Sequence, residues 1–331
     1  MRIGDVAIPG RVFLAPMAAY TSWPFRRLCR RMGAALVTTE VFKARELLRG
    51  IEATNALIEF KPDEHPIAGQ MLTANPDEAA ETAERLAARG FDLIDLNCGC
   101  PKRRIVSNGL GGGIMAAPER IGEVVAAMVK RVDVPVTVKL RSGPKRDVVT
   151  AVEAARRATD AGAAAVCLHP RFSEGASSLP PDWSLIAEVK RAVSVPVIGN
   201  GGIRHPEDAM RMFAETGCDA VAIAQGAIGR PWIFRQVAAL LRTGEKPPEP
   251  SHEEILALLI EHYEGAVEHY GEKRGTIMMR KQSCHYAKRL VNGRRFNEAV
   301  VHASTREEFM DAVNRHLRGR PPTANPDAFN T

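Results

Sequence analysis

The chain has 331 residues, 45% hydrophobic and 25% charged, with a net charge of +6. That is enough for one large domain and a small one around a sizeable core, and the mildly basic balance permits a polyanionic partner without requiring it. No apolar run approaches the ~20 residues of a membrane helix, and MRIGDVAIPGRVFLAPM lacks the apolar stretch and cleavage site of a secretory leader, so no membrane association is expected. The six cysteines (29, 98, 100, 167, 218 and 284) are scattered, which predicts reduced thiols and a cytoplasmic setting rather than a disulfide framework. Only Cys98 and Cys100 lie close. A lone C-x-C lacks the second ligand pair of a structural zinc site, so no metal is expected.

Strand and helix patterns alternate from residue 12 to about residue 240. Apolar or β-branched runs fall at Val12–Met17, Ala35–Glu40, Pro66–Leu72, Leu93–Asn97, Pro135–Arg141, Ala165–His169, Pro196–Asn200 and Asp219–Gln225. Helical patterns lie between them, clearest at Pro76–Arg89, Pro118–Arg131, Val148–Ala161, Trp183–Val193 and Pro206–Thr216. Gly90, Gly162 and Gly217 supply the helix stops. Eight strands alternating with helices predict a (β/α)8 TIM barrel over residues 1–242. An open doubly wound sheet would want G-x-G-x-x-G after its first strand, and Ala15-Pro16-Met17-Ala18 is unlike that.

The strands finish in polar or functional groups: Met17, Glu40, Gln70, Asn97 with Cys100, Lys139 with Arg141, His169 with Arg171, Asn200, and Gln225. In a barrel these converge on one mouth, where catalytic residues sit. The most informative stretch is Leu93-Ile-Asp-Leu-Asn-Cys-Gly-Cys-Pro-Lys-Arg-Arg104. It sets an amide and a thiol at the end of a buried strand, with Lys102, Arg103 and Arg104 directly behind. Pro101 and the glycines at 109, 111, 112 and 113 predict a shaped loop here rather than a helix. After the seventh strand, Gly199-Asn200-Gly201-Gly202 is a backbone-exposing turn in the usual barrel position for a phosphate; Ala224, Gln225 and Gly226 follow the eighth.

Residues 243–252 read as a linker, and Ser251-His-Glu-Glu254 as a capping box opening a helix to about Tyr270. Further helices are predicted at about Thr276–Val291 and Thr305–Leu317, making a small all-helical domain over residues 253–318. The proline-containing tail, 319–331, is expected to be disordered. Met279, Ser283, Tyr286 and Leu290 share one face of the second helix; Lys281, His285 and Lys288 lie opposite, flanked by Arg280 and Arg289. Between residues 271 and 295 there are eight Lys/Arg and one acid, a density suited to a phosphate backbone as well as to a solvated surface. His262 and His269, seven apart, are expected to be solvated helix positions.

Taken together, these residues resemble the tRNA-dihydrouridine synthases, most closely the bacterial B branch, over about residues 3 to 315. The carriers are Ala15-Pro-Met-Ala18, Gly69-Gln70, Asn97-x-Gly-Cys-Pro101, Val138-Lys-Leu-Arg141, His169-x-Arg171, Gly199-Asn-Gly201, Gly229-x-Pro-Trp-Ile-Phe234, and the basic helix followed by Asn292-Gly-Arg-Arg295. The resemblance implies an enzyme that uses FMN, with NADPH or NADH as reductant, to reduce the C5=C6 bond of a uridine in tRNA. No obligate protein partner is implied.

By matching positions, Cys100 would be the general acid and Lys139 would lie by the flavin ring. Pro16, Met17, Ala18 and Gln70 would contact that ring, and His169, Asn200, Gly201, Gly202, Ala224 and Gln225 would complete the cofactor site. Asn97, Arg141 and Arg171 would face the base. Lys102, Arg103, Arg104, Arg280, Lys281, Lys288 and Arg289 would hold RNA, from which the base must be flipped. Cys98 is expected to be packing.

Two departures from the family pattern stand out. Ala224-Gln225 replaces Gly-Arg, removing a cation from the phosphate turn, and Phe172-Ser173 with Ser177-Ser178-Leu179-Pro180-Pro181 replaces the usual Thr and Tyr-x-Gly. Two other readings follow from the residues: an FMN barrel acting on a free pyrimidine, similar to dihydroorotate dehydrogenases, and an RNA-binding relative without flavin.

Overall fold

The computed structural model describes residues 1–174 and 180–318. The predicted tail at 319–331 and the Ser177-Ser178-Leu179 stretch lie outside the described residues. Eleven strands are present among them: β1 (Arg2–Ile3), β2 (Val6–Ala7), β3 (Val12–Leu14), β4 (Leu36–Thr38), β5 (Phe42–Lys43), β6 (Ile67–Leu72), β7 (Leu93–Asn97), β8 (Val136–Arg141), β9 (Ala165–His169), β10 (Val197–Asn200) and β11 (Ala220–Ile223). Strands β3, β4 and β6–β11 pair in parallel, each with its neighbour in turn. β11 pairs β3, and β4 pairs β6, so the ring returns on itself as a barrel. Helices follow the strands, among them Pro76–Ala88, Pro118–Arg131, Ala151–Asp160, Ser184–Ala192 and Pro206–Thr216.

Alternation along the strands sorts side chains into two layers. Val12, Leu14, Val37, Ile67, Met71, Ile94 and Leu96 face the helices in one core. Phe13, Leu36, Ala68, Leu93, Ala165, Ile198, Ala220 and Ala222 fill the barrel interior, with many alanines because the interior is narrow. Ile3 and Ile8 of the amino-terminal segment join this inner cluster. The β1–β2 hairpin therefore closes the end of the barrel where the strands begin. A Cβ at Gly4 would lie 2.7 Å from Pro135, just before β8.

Several strands stop earlier than the residue pattern suggests. β3 ends at Leu14 because Pro16 has no N–H to offer a ladder and Ala19 takes φ 65°. The stretch after Cys100 corrects the expectation of an irregular loop: Arg103–Val106 is one helical turn and Gly111–Ala116 a 3-10 helix. Pro101 stands before the first turn, where no intrahelical N–H is needed, and Gly109 at φ 69° ends it rather than preventing it.

The chain divides into two compact units. One comprises Met1–Ala227 with Pro231–Pro247; the other comprises Ile228–Arg230 with the described residues from Pro248 onward. The second contains helices His252–Tyr270, Glu272–Ala287, Gly293–Val300 and Arg306–His316. The basic helix starts at Glu272 rather than at about Thr276, because Gly271 at φ 78° breaks the chain only briefly. Met279, Ser283, Tyr286 and Leu290 are buried as their spacing predicts. His262 is a correction: it is 1% exposed, with Nδ1 3.1 Å from the Tyr286 hydroxyl. The two helices that flank Gly271 pack tightly and enclose it, and burial pushes its imidazole down to about 3.

Candidate functional site

Parallel registration sets the polar strand ends side by side. Gln70 pairs with Asp95, Asn97 with Lys139, and Arg141 with His169. Lys139 Nζ donates to Asn200 Oδ1 at 2.8 Å, linking β8 to β10, while Asn200 Nδ2 donates to the Ala222 carbonyl at 2.7 Å. Asn200 thus serves the lysine rather than the glycine turn that follows it. Burial pushes the Lys139 ammonium down from its usual range, and its hydrogen bond to Asn200 is to a neutral group.

A directed chain of hydrogen bonds runs from β8 to Cys100. Thr137 Oγ1 donates to Asp95 Oδ1 at 2.6 Å, and Gln70 Nε2 donates to Asp95 Oδ2 at 2.7 Å. Asn97 Nδ2 donates to Gln70 Oε1 at 2.8 Å. Asn97 Oδ1 then accepts from the N–H groups of Gly99 at 3.0 Å and Cys100 at 2.8 Å. An ionised carboxylate only accepts, so Asp95 fixes which end of each amide faces which way. Burial pushes the Asp95 carboxyl up, and the Thr137 and Gln70 donors draw it back.

Gln70 and Asn97, both expected at the ligand surface, are buried and committed to this chain. Their placement makes them supports of the thiol loop. Asp95 and Thr137 are the members that the linear pattern does not reveal. The available signal is a carboxylate and a hydroxyl inside otherwise apolar strands.

Around Cys100 the glycines have a steric cause. A Cβ at Gly111 would lie 2.8 Å from Cys100 Cβ, and Gly112 N–H donates to the Cys100 carbonyl at 2.9 Å. Arg141 clamps the same loop, Nε donating to the Gly99 carbonyl at 2.5 Å and Nη1 to the Phe172 carbonyl at 2.9 Å. Burial pushes Arg141 down to about 10, with Cys100 close enough to draw it up and Arg171 to oppose it. Arg141 is therefore spent on the backbone. Cys98 is fully buried in the outer core, and burial with Asp95 nearby raises its thiol far above the ordinary range. Cys100 is only half-buried.

Gly201 and Gly202 take φ 103° and 83°, open to glycine but strained for other residues. A Cβ on Gly201 would strike the His169 ring at 2.4 Å. Burial, then Lys139, Arg141 and Arg171, push His169 down to about 2, so the imidazole is neutral. Arg204 was not anticipated: its Nη2 reaches Gln225 Oε1 at 3.5 Å, bringing a cation to the turn where Ala224-Gln225 supplies none. Its signal was its place two residues after the Gly201-Gly202 turn.

Pro16 lines a small interior cavity of about 40 Å³ with Asp95, Thr137, Lys139 and Cys167. Met17 is half-buried and Ala18 exposed; the loop carrying them is held by Ala19 N–H donating to Glu40 Oε2 at 2.5 Å. Arg171 is half-buried beside His169, its backbone N–H donating to the His169 carbonyl at 2.7 Å.

Of the cations expected to meet RNA, Lys102, Arg103 and Arg104 are exposed on the barrel, and Lys281 and Lys288 on the helical unit. Arg280 instead donates from Nε to the Ala303 carbonyl at 2.7 Å. Arg289 is half-buried against the His285 carbonyl at 3.3 Å and pushed down by burial and Arg230. Among the described residues no helix is long and apolar enough to cross a membrane.

A parallel eight-stranded barrel with polar groups gathered at its strand ends defines a TIM-barrel enzyme. A solved structure of 2-naphthoyl-CoA reductase with 2-naphthoyl-CoA has this fold (TM-score 0.56, 12% identity, 72% of this chain and 51% of that one), a likeness that shows the fold alone. The dihydrouridine synthase (Dus) family matches residues 13–318, and the chain belongs to that family. It is 36% identical over 296 residues to tRNA-dihydrouridine synthase B of Pseudomonas aeruginosa, covering 89% of both chains. It is 34% identical over 335 residues to the synthase B of Xanthomonas axonopodis pv. citri, covering 99% of this chain and 100% of that one. A probable tRNA-dihydrouridine synthase of Mycobacterium tuberculosis is 34% identical over 334 residues, 97% of this chain and 86% of the relative.

Proposed function

We propose that this chain reduces the C5=C6 bond of a uridine in tRNA to 5,6-dihydrouridine in the cytoplasm, with FMN as its flavin and NADPH or NADH as reductant. The observation that carries the reading is the half-exposed Cys100, pinned through its own N–H to Asn97 beside Lys139. The residues present fit a flavin. A buried ammonium bonded to neutral Asn200 suits an anionic ring edge, and two positive-φ glycines with Arg204 nearby suit a phosphate. When bound, the flavin supplies the hydride that adds to C6.

The protein's own groups do the rest. Cys100 gives its thiol proton to C5, a step suited to a weak acid that tolerates an apolar base face. Lys139 would hold the ring edge, with Pro16, Met17 and Ala18 against the ring. Gln70 and Asn97 fix the thiol loop, and neutral His169 can donate one hydrogen bond without adding charge. Asn200 steadies Lys139, while Gly201, Gly202, Ala224 and Gln225 form the phosphate turn with Arg204. Arg171 would lie by the base, and Arg141 braces the Gly99 and Phe172 loops. A stacked uridine cannot reach a barrel floor, so it must be flipped out, with Lys102, Arg103, Arg104, Lys281 and Lys288 on the backbone.

The test is to incubate purified, flavin-loaded protein with an unmodified tRNA transcript and NADPH. Dihydrouridine in the digested RNA supports the reading. A colourless protein that forms none, or one that reduces free uracil and leaves RNA untouched, overturns it.

A further inference from the structure

A groove of about 970 Å³ opens on the barrel unit, away from the interior cavity beside Lys139. Its cations are Lys43, Arg45 and Arg49 from the segment after β4, and Arg104 and Arg120 from the segment after Cys100. Against these five stand two acids, Glu46 and Glu78. Lys43 pairs with Glu46 at 2.6 Å, Arg45 with Glu78 at 2.9 Å, and Arg120 with Glu123 at 2.6 Å. The first and third are exposed pairs of the weak kind that a stronger anion displaces, while Glu78 in the second is half-buried. Arg49 and Arg104 are exposed and have no acidic partner among the described residues.

We infer that this groove carries the RNA's phosphate backbone onward from Arg104, so that the substrate is gripped along the barrel rim beyond the flipped base. The inference rests on the RNA reading above. Three features favour a polyanion over a small anion. The groove is large and open, and its charges sit on long exposed arms rather than on a buried polar cluster. It is also continuous with the thiol loop: Ile105, Leu110 and Gly113 line it, and the intervening Gly112 donates to the Cys100 carbonyl. Backbone held here flanks the base that Cys100 protonates, and cations at such a contact release counterions on binding.

The experiment is fluorescence anisotropy of an unmodified tRNA transcript with the flavin-loaded protein across a KCl series. Arg49→Ala should weaken binding several-fold and flatten the slope of log K against log salt by about 0.7–0.9, one phosphate contact. Arg49→Lys should keep the slope. Arg157→Ala, removing an exposed cation paired with Glu153 on an outer helix, should change neither. An Arg49→Ala protein with the wild-type slope overturns the groove, whether or not its affinity falls. Wild-type protein that binds no RNA at all overturns the RNA reading together with it. Loss of binding in Arg49→Lys as well would mark a folding defect rather than a charge contact, and would also count against the groove.

Discussion

Asn97 Oδ1 accepts the main-chain N–H of Cys100 at 2.8 Å, so the thiol's position is written by an amide three residues before it. Asn97→Ala should lower dihydrouridine formation by about a hundredfold, the scale at which small misplacements act. Cys100→Ala should abolish it while NADPH still bleaches the flavin, and Cys98→Ala, changing a fully buried core residue, should cost stability rather than chemistry. Stopped-flow absorbance for the flavin step and nucleoside analysis for the RNA step separate these outcomes. The reverse pattern for the two cysteines removes Cys100 as the acid.

Asp95 sets the direction of the chain that ends at Cys100, since its carboxylate accepts from both Thr137 and Gln70. Asp95→Asn keeps the volume but can also donate, which frees Gln70 and Asn97 to turn over. We expect a loss of at least about tenfold in the RNA step. The rate of Cys100 alkylation by iodoacetamide at one fixed pH, read by peptide mapping, should change as the loop loosens. An unchanged rate would assign Asp95 to barrel stability alone.

Arg204 stands where the two turns after β10 and β11 meet, within 3.5 Å of Gln225. Arg204→Ala should raise the FMN dissociation constant about tenfold, equivalent to one charge-assisted hydrogen bond. Riboflavin, which lacks the phosphate, should bind both proteins equally. An equal loss for both ligands would show that Arg204 acts on the fold instead.

Burial sets the pH response of stability. His169 is pushed down to about 2 and His262 to about 3 from 6.5. Below about pH 6.5 the unfolded chain takes up protons that the folded histidines refuse, so stability falls as pH falls. Each such histidine contributes up to about 1.4 kcal/mol per pH unit. Thermal melts between pH 7.5 and 5 should show a smaller decline in His262→Gln than in the parent, and an identical decline would mean that His262 opens to solvent.

The barrel and the gathering at its mouth were legible in the sequence because each polar strand end follows an apolar run, and the parallel register then aligns Gln70 with Asp95 and Asn97 with Lys139. What stayed hidden depended on partners far along the chain. Gln70 and Asn97 read as ligand contacts, and what the linear pattern did not show is that Asp95 takes the Gln70 amide and Gln70 takes that of Asn97. Arg141 was expected to face the base, and its hold on the Gly99 and Phe172 carbonyls was not foreseen. His262 looked solvated because periodicity within one helix does not say which face the next helix will cover. Arg204 escaped notice because its value lies in reaching Gln225 from another turn.

The β1–β2 hairpin, with Ile3 and Ile8 stoppering the floor, closes one end of this barrel among the described residues, so that visitors would share the opposite mouth. The electron donor and the RNA would have to take turns at it, the first departing before the second arrives. Such alternation would appear as parallel lines in double-reciprocal plots, and it would spare the reduced enzyme from meeting both visitors at once.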